Sequence, residues 1–121
     1  MPARHTLTAI LPCNDLDASE AFYAELGFSK QGDYGDYRLL SDGRGNELHL
    51  TQAVDGWLVR GRNPFALYLY TENVTELARR MGGRVLHPPE DKPWGMFEFA
   101  VSDPDETLVR VGWPTGQRKP G

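Results

Sequence analysis

The distribution of apolar and polar residues predicts a strand over 6–11 and, directly after it, an amphipathic helix within "NDLDASEAFYAELGF". In that helix Ala18, Ala21, Phe22 and Leu26 recur at helical spacing and form one apolar stripe. Asp17 and Glu20 have the D-x-x-E spacing of a capping box, with carboxylates placed where a helix N-terminus is positive. Gly27 is the expected stop, because glycine takes the left-handed C′ conformation without a Cβ clash. Three short strands follow, over 28–31, 37–41 and 47–52, the last two joined by the hairpin-turn residues "SDGRGN". Residues 53–63, "AVDGWLVRGRN", read as a connector.

The order then repeats. "FALYLYT" is a strand, "ENVTELARRMGG" a short helix with Val74, Leu77 and Met81 on one side, and "RVL" a short strand. "HPPEDKPWG" is expected to be a loop, since its three prolines cannot serve a central strand. "MFEFAVS", the turn "DPDE" and "TLVRVGW" make a final hairpin, and 114–121, "PTGQRKPG", is expected to be a flexible tail. The chain thus reads as one α+β domain of two βαβββ modules, 4–52 and 64–113, joined by 53–63. The repeat is one of pattern: Asn14 and Asn73 precede the helices, and Leu26-Gly27 and Met81-Gly82 end them. Each half is too small to bury its own sheet face, so the two sheets are expected to share a cup, within the chain or with a second chain.

Composition narrows the function. The chain has 121 residues, 40% hydrophobic and 25% charged, as in ordinary globular domains. A net charge of -4 argues against nucleic acid and mildly favours a cationic ligand. A single cysteine, Cys13, excludes an intramolecular disulfide; this fits a reducing, cytoplasmic setting, and Cys13 itself reads as a small buried hydrophobe. No membrane association is expected, since no apolar run approaches a span's length, and the N-terminal segment lacks the marks of a signal peptide.

Two segments carry a family resemblance. "LPCNDLDASEAFYAELGF" (11–28) is similar to the first-helix signature of the vicinal oxygen chelate superfamily, which holds glyoxalases, ring-cleaving dioxygenases and bleomycin-resistance proteins. "PWGMFEFAVSDPDETLVRV" (93–111) resembles its last hairpin, in which Trp-Gly precedes strand, Asp-Pro-x-Gly turn and strand. The Leu-Pro start and the Trp-Gly loop point more narrowly to the bleomycin-resistance-like members. Glu106 departs from the pattern, standing where glycine is usual; if the position needs positive φ, glutamate carries a modest penalty there.

The resemblance implies a divalent metal for the enzymes of the superfamily, with ligands at positions that fall here on Thr8, His49, Ala66 and Arg110. Ala66 has no donor, Arg110 is a permanent cation, Thr8 is a poor neutral ligand, and His49 alone is not a site. His5 is turned to the opposite sheet face by its odd offset from Thr8, and His87 lies in the proline loop. No phosphate-cradling loop or nucleophile elbow is present, so neither a metal, another cofactor nor a catalytic residue is expected.

The cup offers binding surface instead. Ala66, Tyr68 and Tyr70 share one strand face, Glu47, His49 and Thr51 another, and Leu108, Arg110 and Gly112 a third. If "DPDE" closes with one bulged residue, Glu98 and Ala100 join the Arg110 face, while Phe97, Phe99 and Val101 join Val109 and Val111 in the core; the other register would bury Glu98 among apolar residues. A Glu98/Arg110 pair then serves as a structural ion pair or as polar anchors for a ligand. Tyr37, Trp57, Phe65, Tyr68 and Trp94 are candidate stacking walls, and Trp94, between Pro93 and Gly95, belongs to a rim loop. The resemblance implies a non-catalytic resistance protein, a homodimer that sequesters a bleomycin- or phleomycin-type glycopeptide in interface crevices. Strand or module swapping between the chains is left open. The candidate ligand-binding residues are Trp94, Gly95, Tyr37, His49, Trp57, Phe65, Tyr68, Glu98 and Arg110. The alternatives are a metal-dependent lyase, isomerase or dioxygenase of the superfamily, and a binding protein for another natural product.

Overall fold

The structure, a computed structural model, describes residues 4–118. The chain forms two compact units, Met1–Leu58 and Val59–Gly121, each with a four-stranded sheet and one main helix. The division falls inside the expected connector.

In the first unit β1 (Ala9–Cys13) leads into α1 (Leu16–Glu25), followed by β2 (Ser29–Asp33), β3 (Tyr37–Ser41) and β4 (Glu47–Gln52). The strand order is β1-β4-β3-β2, with β1 parallel to β4 and the remaining pairs antiparallel. The first strand lies later than the expected 6–11. The helix also begins earlier than the capping-box spacing suggested: Asp15, not Asp17, is the N-cap, and its side chain accepts from the Ala18 N–H. Starting there brings Leu16 onto the buried face with Ser19, Phe22, Tyr23 and Leu26, whereas Ala21 is exposed. Glu20, released from capping, meets Arg38 of β3 at 2.9 Å, where Asp17 also pairs with the guanidinium at 2.8 Å. Gly27 takes φ +103 as a C′ residue must. Leu11, Cys13, Leu40, Leu48 and Leu50 complete the core beneath the helix.

The second unit repeats the order with β5 (Ala66–Tyr70), α2 (Val74–Met81), β6 (Val85–Asp91), β7 (Met96–Ser102) and β8 (Leu108–Pro114), in sheet order β5-β8-β7-β6. Val74, Leu77 and Met81 are buried, as expected, together with Phe99, Val101, Val109 and Val111. β6 runs through Pro88 and Pro89, where a loop was expected. It is an edge strand, and its pairing with β7 shifts register twice, between Val85 and His87 and between His87 and Glu90. An edge strand with bulges tolerates residues that cannot donate to a ladder.

The β7–β8 hairpin adopts the bulged register: Glu98 lies opposite Gly112, Ala100 opposite Arg110, and Phe99 opposite Val111. Asp103 organises the turn, its Oδ1 accepting from the N–H groups of Asp105 and Thr107. Glu106 has φ +69, the left-handed conformation for which glycine is the usual choice. Its carboxylate accepts from the Gly61 N–H. Phe97 is only half-buried, with the Arg118 guanidinium 3.6 Å above its ring. The expected tail from 114 is therefore partly structured: Pro114 closes β8, Thr115–Gln117 forms a 3-10 turn, and Thr115 donates to the Gly95 carbonyl at 2.9 Å. Residues 119–121 of that tail lie outside the described residues. Among the described residues, no helix is long and apolar enough to cross a membrane.

Candidate functional site

The second unit gathers three of the candidate residues, Tyr68, Trp94 and Arg110, around the carboxylate of a fourth, Glu98. Strand alternation puts Arg110 and Gly112 of β8 on one sheet face with Glu98 and Ala100 of β7, and the parallel register sets Tyr68 of β5 beside Arg110. Glu98 has no exposed surface. Its Oε1 accepts from the Tyr68 hydroxyl at 3.0 Å and the Trp94 indole N–H at 2.8 Å; its Oε2 accepts from the Arg110 guanidinium at 3.1 Å. These are hydrogen bonds to a charged acceptor, and they offset the desolvation of a buried anion.

Gly112 makes the Tyr68 bond sterically accessible. The tyrosine reaches from β5 across β8 to β7, and a Cβ on Gly112 would lie 2.2 Å from its hydroxyl oxygen. A glycine inside a strand pattern often marks such an approach, and this was the signal available in the sequence.

Trp94 stands in a turn closed by the Gly95 N–H donating to the Lys92 carbonyl at 3.0 Å. Pro93 presets the backbone at the second turn position, and Gly95 takes φ +84, which allows the chain to enter β7 directly. Trp94 is 58% exposed although its indole N–H is anchored inside. Lys92, which sequence reading did not single out, has its ammonium 5.8 Å from the indole centroid and also pairs with Glu90.

The electrostatics follow from burial and partners. Burial, the largest influence, pushes the Glu98 carboxyl up, but the bonds from Trp94, Tyr68 and Arg110, with the Arg110 charge, together hold it below the ordinary carboxylate range. Burial and the neighbouring Glu98 push the Tyr68 phenol well above its ordinary value. Glu98 is thus an enclosed anion and Tyr68 a hydrogen-bond donor to it. Arg110 has 40% of its side chain exposed and is the charged member of the cluster that reaches the surface.

The first unit holds a smaller pair. The Tyr37 hydroxyl and His49 Nδ1 are 2.8 Å apart, and the rings meet edge to face at 5.3 Å. Ile10 of β1 lies beside His49 in register and is exposed. Trp57 is 62% exposed in a turn after β4, and Phe65 is an exposed residue just before β5. Among the described residues, Trp57 makes no ring contact with Tyr37 or His49 of its own unit, and Phe65 none with Tyr68 or Trp94 of its own.

The donor set does not suit a divalent ion. Ala66 has no ligating atom, and the Arg110 cation is committed to Glu98. Among the described residues no group of three or more His, Cys, Asp and Glu side chains comes together.

A sequence profile of the Glyoxalase/Bleomycin resistance protein/Dioxygenase superfamily matches residues 4–111. Among solved structures, the chain is similar to a bleomycin-binding protein complexed with bleomycin, at 26% identity over 91% of this chain and 98% of that one, with a TM-score of 0.77. It is also similar to a bleomycin resistance determinant encoded on the transposon Tn5, at 26% identity over 92% and 98% of the two chains and a TM-score of 0.78. TioX from Micromonospora sp. ML1 shares the fold, at 21% identity over 89% and 97% of the chains and a TM-score of 0.70. No curated protein matches the chain significantly by sequence alone.

Proposed function

The chain belongs to the glyoxalase/bleomycin resistance protein/dioxygenase superfamily, and from that premise we propose that it is a non-catalytic resistance protein that binds and sequesters a bleomycin-type cationic glycopeptide. The observation that carries the reading is Trp94: a residue 58% exposed, yet held through its indole N–H by a fully buried carboxylate. A side chain left to solvent would lose little by rotating. One that is anchored presents a flat apolar face in a set orientation, which lowers the entropy lost on stacking a planar ligand. Tyr68 and Arg110 stand beside it as further contacts, with Gly95 shaping the loop. Tyr37, His49, Trp57 and Phe65 supply the remaining walls in this reading, and a homodimer brings crevices together at its interface.

The mechanism is stoichiometric capture. The net charge of -4 speeds encounter with a cation, and stacking on the aromatic faces slows escape. The 26% identity to two bleomycin-associated proteins over nearly their whole length supports the ligand class. Calorimetric titration with bleomycin tests it: saturable heat is expected at about one drug molecule per chain. Absence of heat, with no thermal shift at high micromolar drug, would reject the named ligand and leave the fold and family intact.

A further inference from the structure

We infer that Glu98 is a positioning residue: its carboxylate fixes the Trp94 indole and the Arg110 guanidinium in the orientations a ligand meets, without itself touching the ligand. The inference rests on the proposed ligand site and refines one role within it, since the sequence left Glu98 as either a structural ion-pair partner or a polar anchor for the ligand.

The geometry separates Glu98 from the residues around it. Glu98 has no exposed surface, whereas Arg110 and Trp94 are 40% and 58% exposed. Both carboxylate oxygens are occupied, Oε1 by two donors and Oε2 by one. Oε2 keeps a further accepting lone pair, but with no exposed surface on Glu98 a ligand cation at this face does not reach it. It meets instead an aromatic plane and the outer edge of a guanidinium whose charge is already balanced. The donors come from β5, β8 and the loop before β7, so one acceptor group ties three separate segments. A neutral acceptor would hold them less well, because bonds to a charged oxygen are roughly twice as strong as neutral ones. A glutamine in place of Glu98 would also present an N–H₂ group toward donors, so that at least one pair would face each other unbonded.

The chain carries an internal control. It has three tryptophans, and Trp57 and Trp94 are nearly equally exposed, at 62% and 58%. Only the Trp94 indole N–H is held by Glu98. In the unmodified protein without ligand, the Trp94 indole N–H is expected to exchange with solvent at least about tenfold more slowly than that of Trp57, as read by nuclear magnetic resonance. Equal exchange would overturn the inference whatever the ligand proves to be. Glu98→Gln should reduce this protection and weaken bleomycin binding about tenfold or more. Trp94→Phe, which keeps an aromatic ring but removes the N–H, should weaken binding comparably. The double variant should lose little beyond either single change, because both break one linkage.

A merely structural Glu98 predicts a different pattern. Glu98→Gln would lower the melting temperature but leave bleomycin affinity unchanged where the protein is folded, and Trp94→Phe would bind as the unmodified chain does; either affinity result would overturn the inference. If Glu98→Gln does not fold, Trp94→Phe decides. If the unmodified chain does not bind bleomycin, the proposed ligand fails, and the indole exchange comparison still decides whether Glu98 positions Trp94.

Discussion

At the scale of single residues, the cluster around Glu98 assigns different consequences to neighbouring positions. Trp94→Ala should weaken ligand binding by an order of magnitude or more while reducing stability by only about 1 kcal/mol, because the half-exposed site lets water replace the lost donor to Glu98. Calorimetry and thermal unfolding on the same preparation check both parts; unchanged affinity with a drop of several degrees would make Trp94 a core residue. Gly112→Ala should be the more damaging substitution despite adding a single methyl group. The new Cβ would sit 2.2 Å from the Tyr68 hydroxyl and 3.0 Å from the Glu98 Cβ, so the rigid phenol must swing off its acceptor. A loss of about 1–3 kcal/mol is expected from overpacking. If denaturant unfolding finds the variant as stable as the parent, Tyr68 has room that the geometry denies it. Gly95 and Gly112 illustrate two uses of glycine, the first for a positive φ and the second for clearance.

At the scale of elements, tertiary context accounts for the differences from the sequence reading. Asp15 caps α1 although Asp17 has the better local spacing, because an earlier start buries Leu16. β6 continues through two prolines because it pairs on one side only and is bulged. The hairpin register was legible, since placing Glu98 opposite Gly112 keeps the apolar residues of both strands together. The turn holding Glu106 trades backbone strain for a tether. Glycine there would relieve roughly 1 kcal/mol of left-handed strain and remove the carboxylate that accepts from Gly61 and pairs with Arg60 at 3.7 Å. Glu106→Gly is therefore expected to leave global stability within about 1 kcal/mol of the parent while raising amide exchange at Gly61. Unaltered exchange at that amide would mean the tether is not formed in solution.

At the scale of the whole molecule, the buried carboxylate links stability to acid. Glutamate in an unfolded chain titrates near about 4.3, and Glu98 in the folded protein lies below its ordinary value. A depressed carboxyl stabilises the fold fully above the unfolded value and loses that contribution as pH falls through the folded one. The groups facing Glu98 across the sheet are Tyr68 and Arg110, with Glu90, itself held by Lys92, its register partner on β6. Stability should accordingly hold from about pH 7 to 5 and fall below about pH 4, and Glu98→Gln should flatten part of that fall. Denaturant titrations across this range measure it; parallel profiles would show that Glu98 contributes no linkage. Asp33 and Glu90 are also held low, by Lys30 and Lys92 respectively, but lie in solvent, where screening leaves them little weight. The proposed homodimer belongs to this scale as well. Sedimentation at micromolar concentration is expected to give twice the chain mass, and a monomer would undo the shared-crevice part of the proposal.

By itself the sequence determined the order of elements, the two-module α+β fold, the family and the loop position of Trp94, and it favoured the strand register around Glu98 without fixing it. The family rests on the resemblance of segments 11–28 and 93–111; the rest follows from periodicity, turn chemistry or the cost of burying a charge, which act over neighbouring residues or along one hairpin. Only the tertiary structure decided that the Glu98 carboxylate is enclosed by its donors. Its donors stand 30, 12 and 4 residues away, and alternation can place Tyr68 and Arg110 on its face without bringing them to the 3.0 and 3.1 Å at which they bond. A hydrogen bond depends on tenths of an ångström and on angle, and those are set by how three segments pack around Gly112.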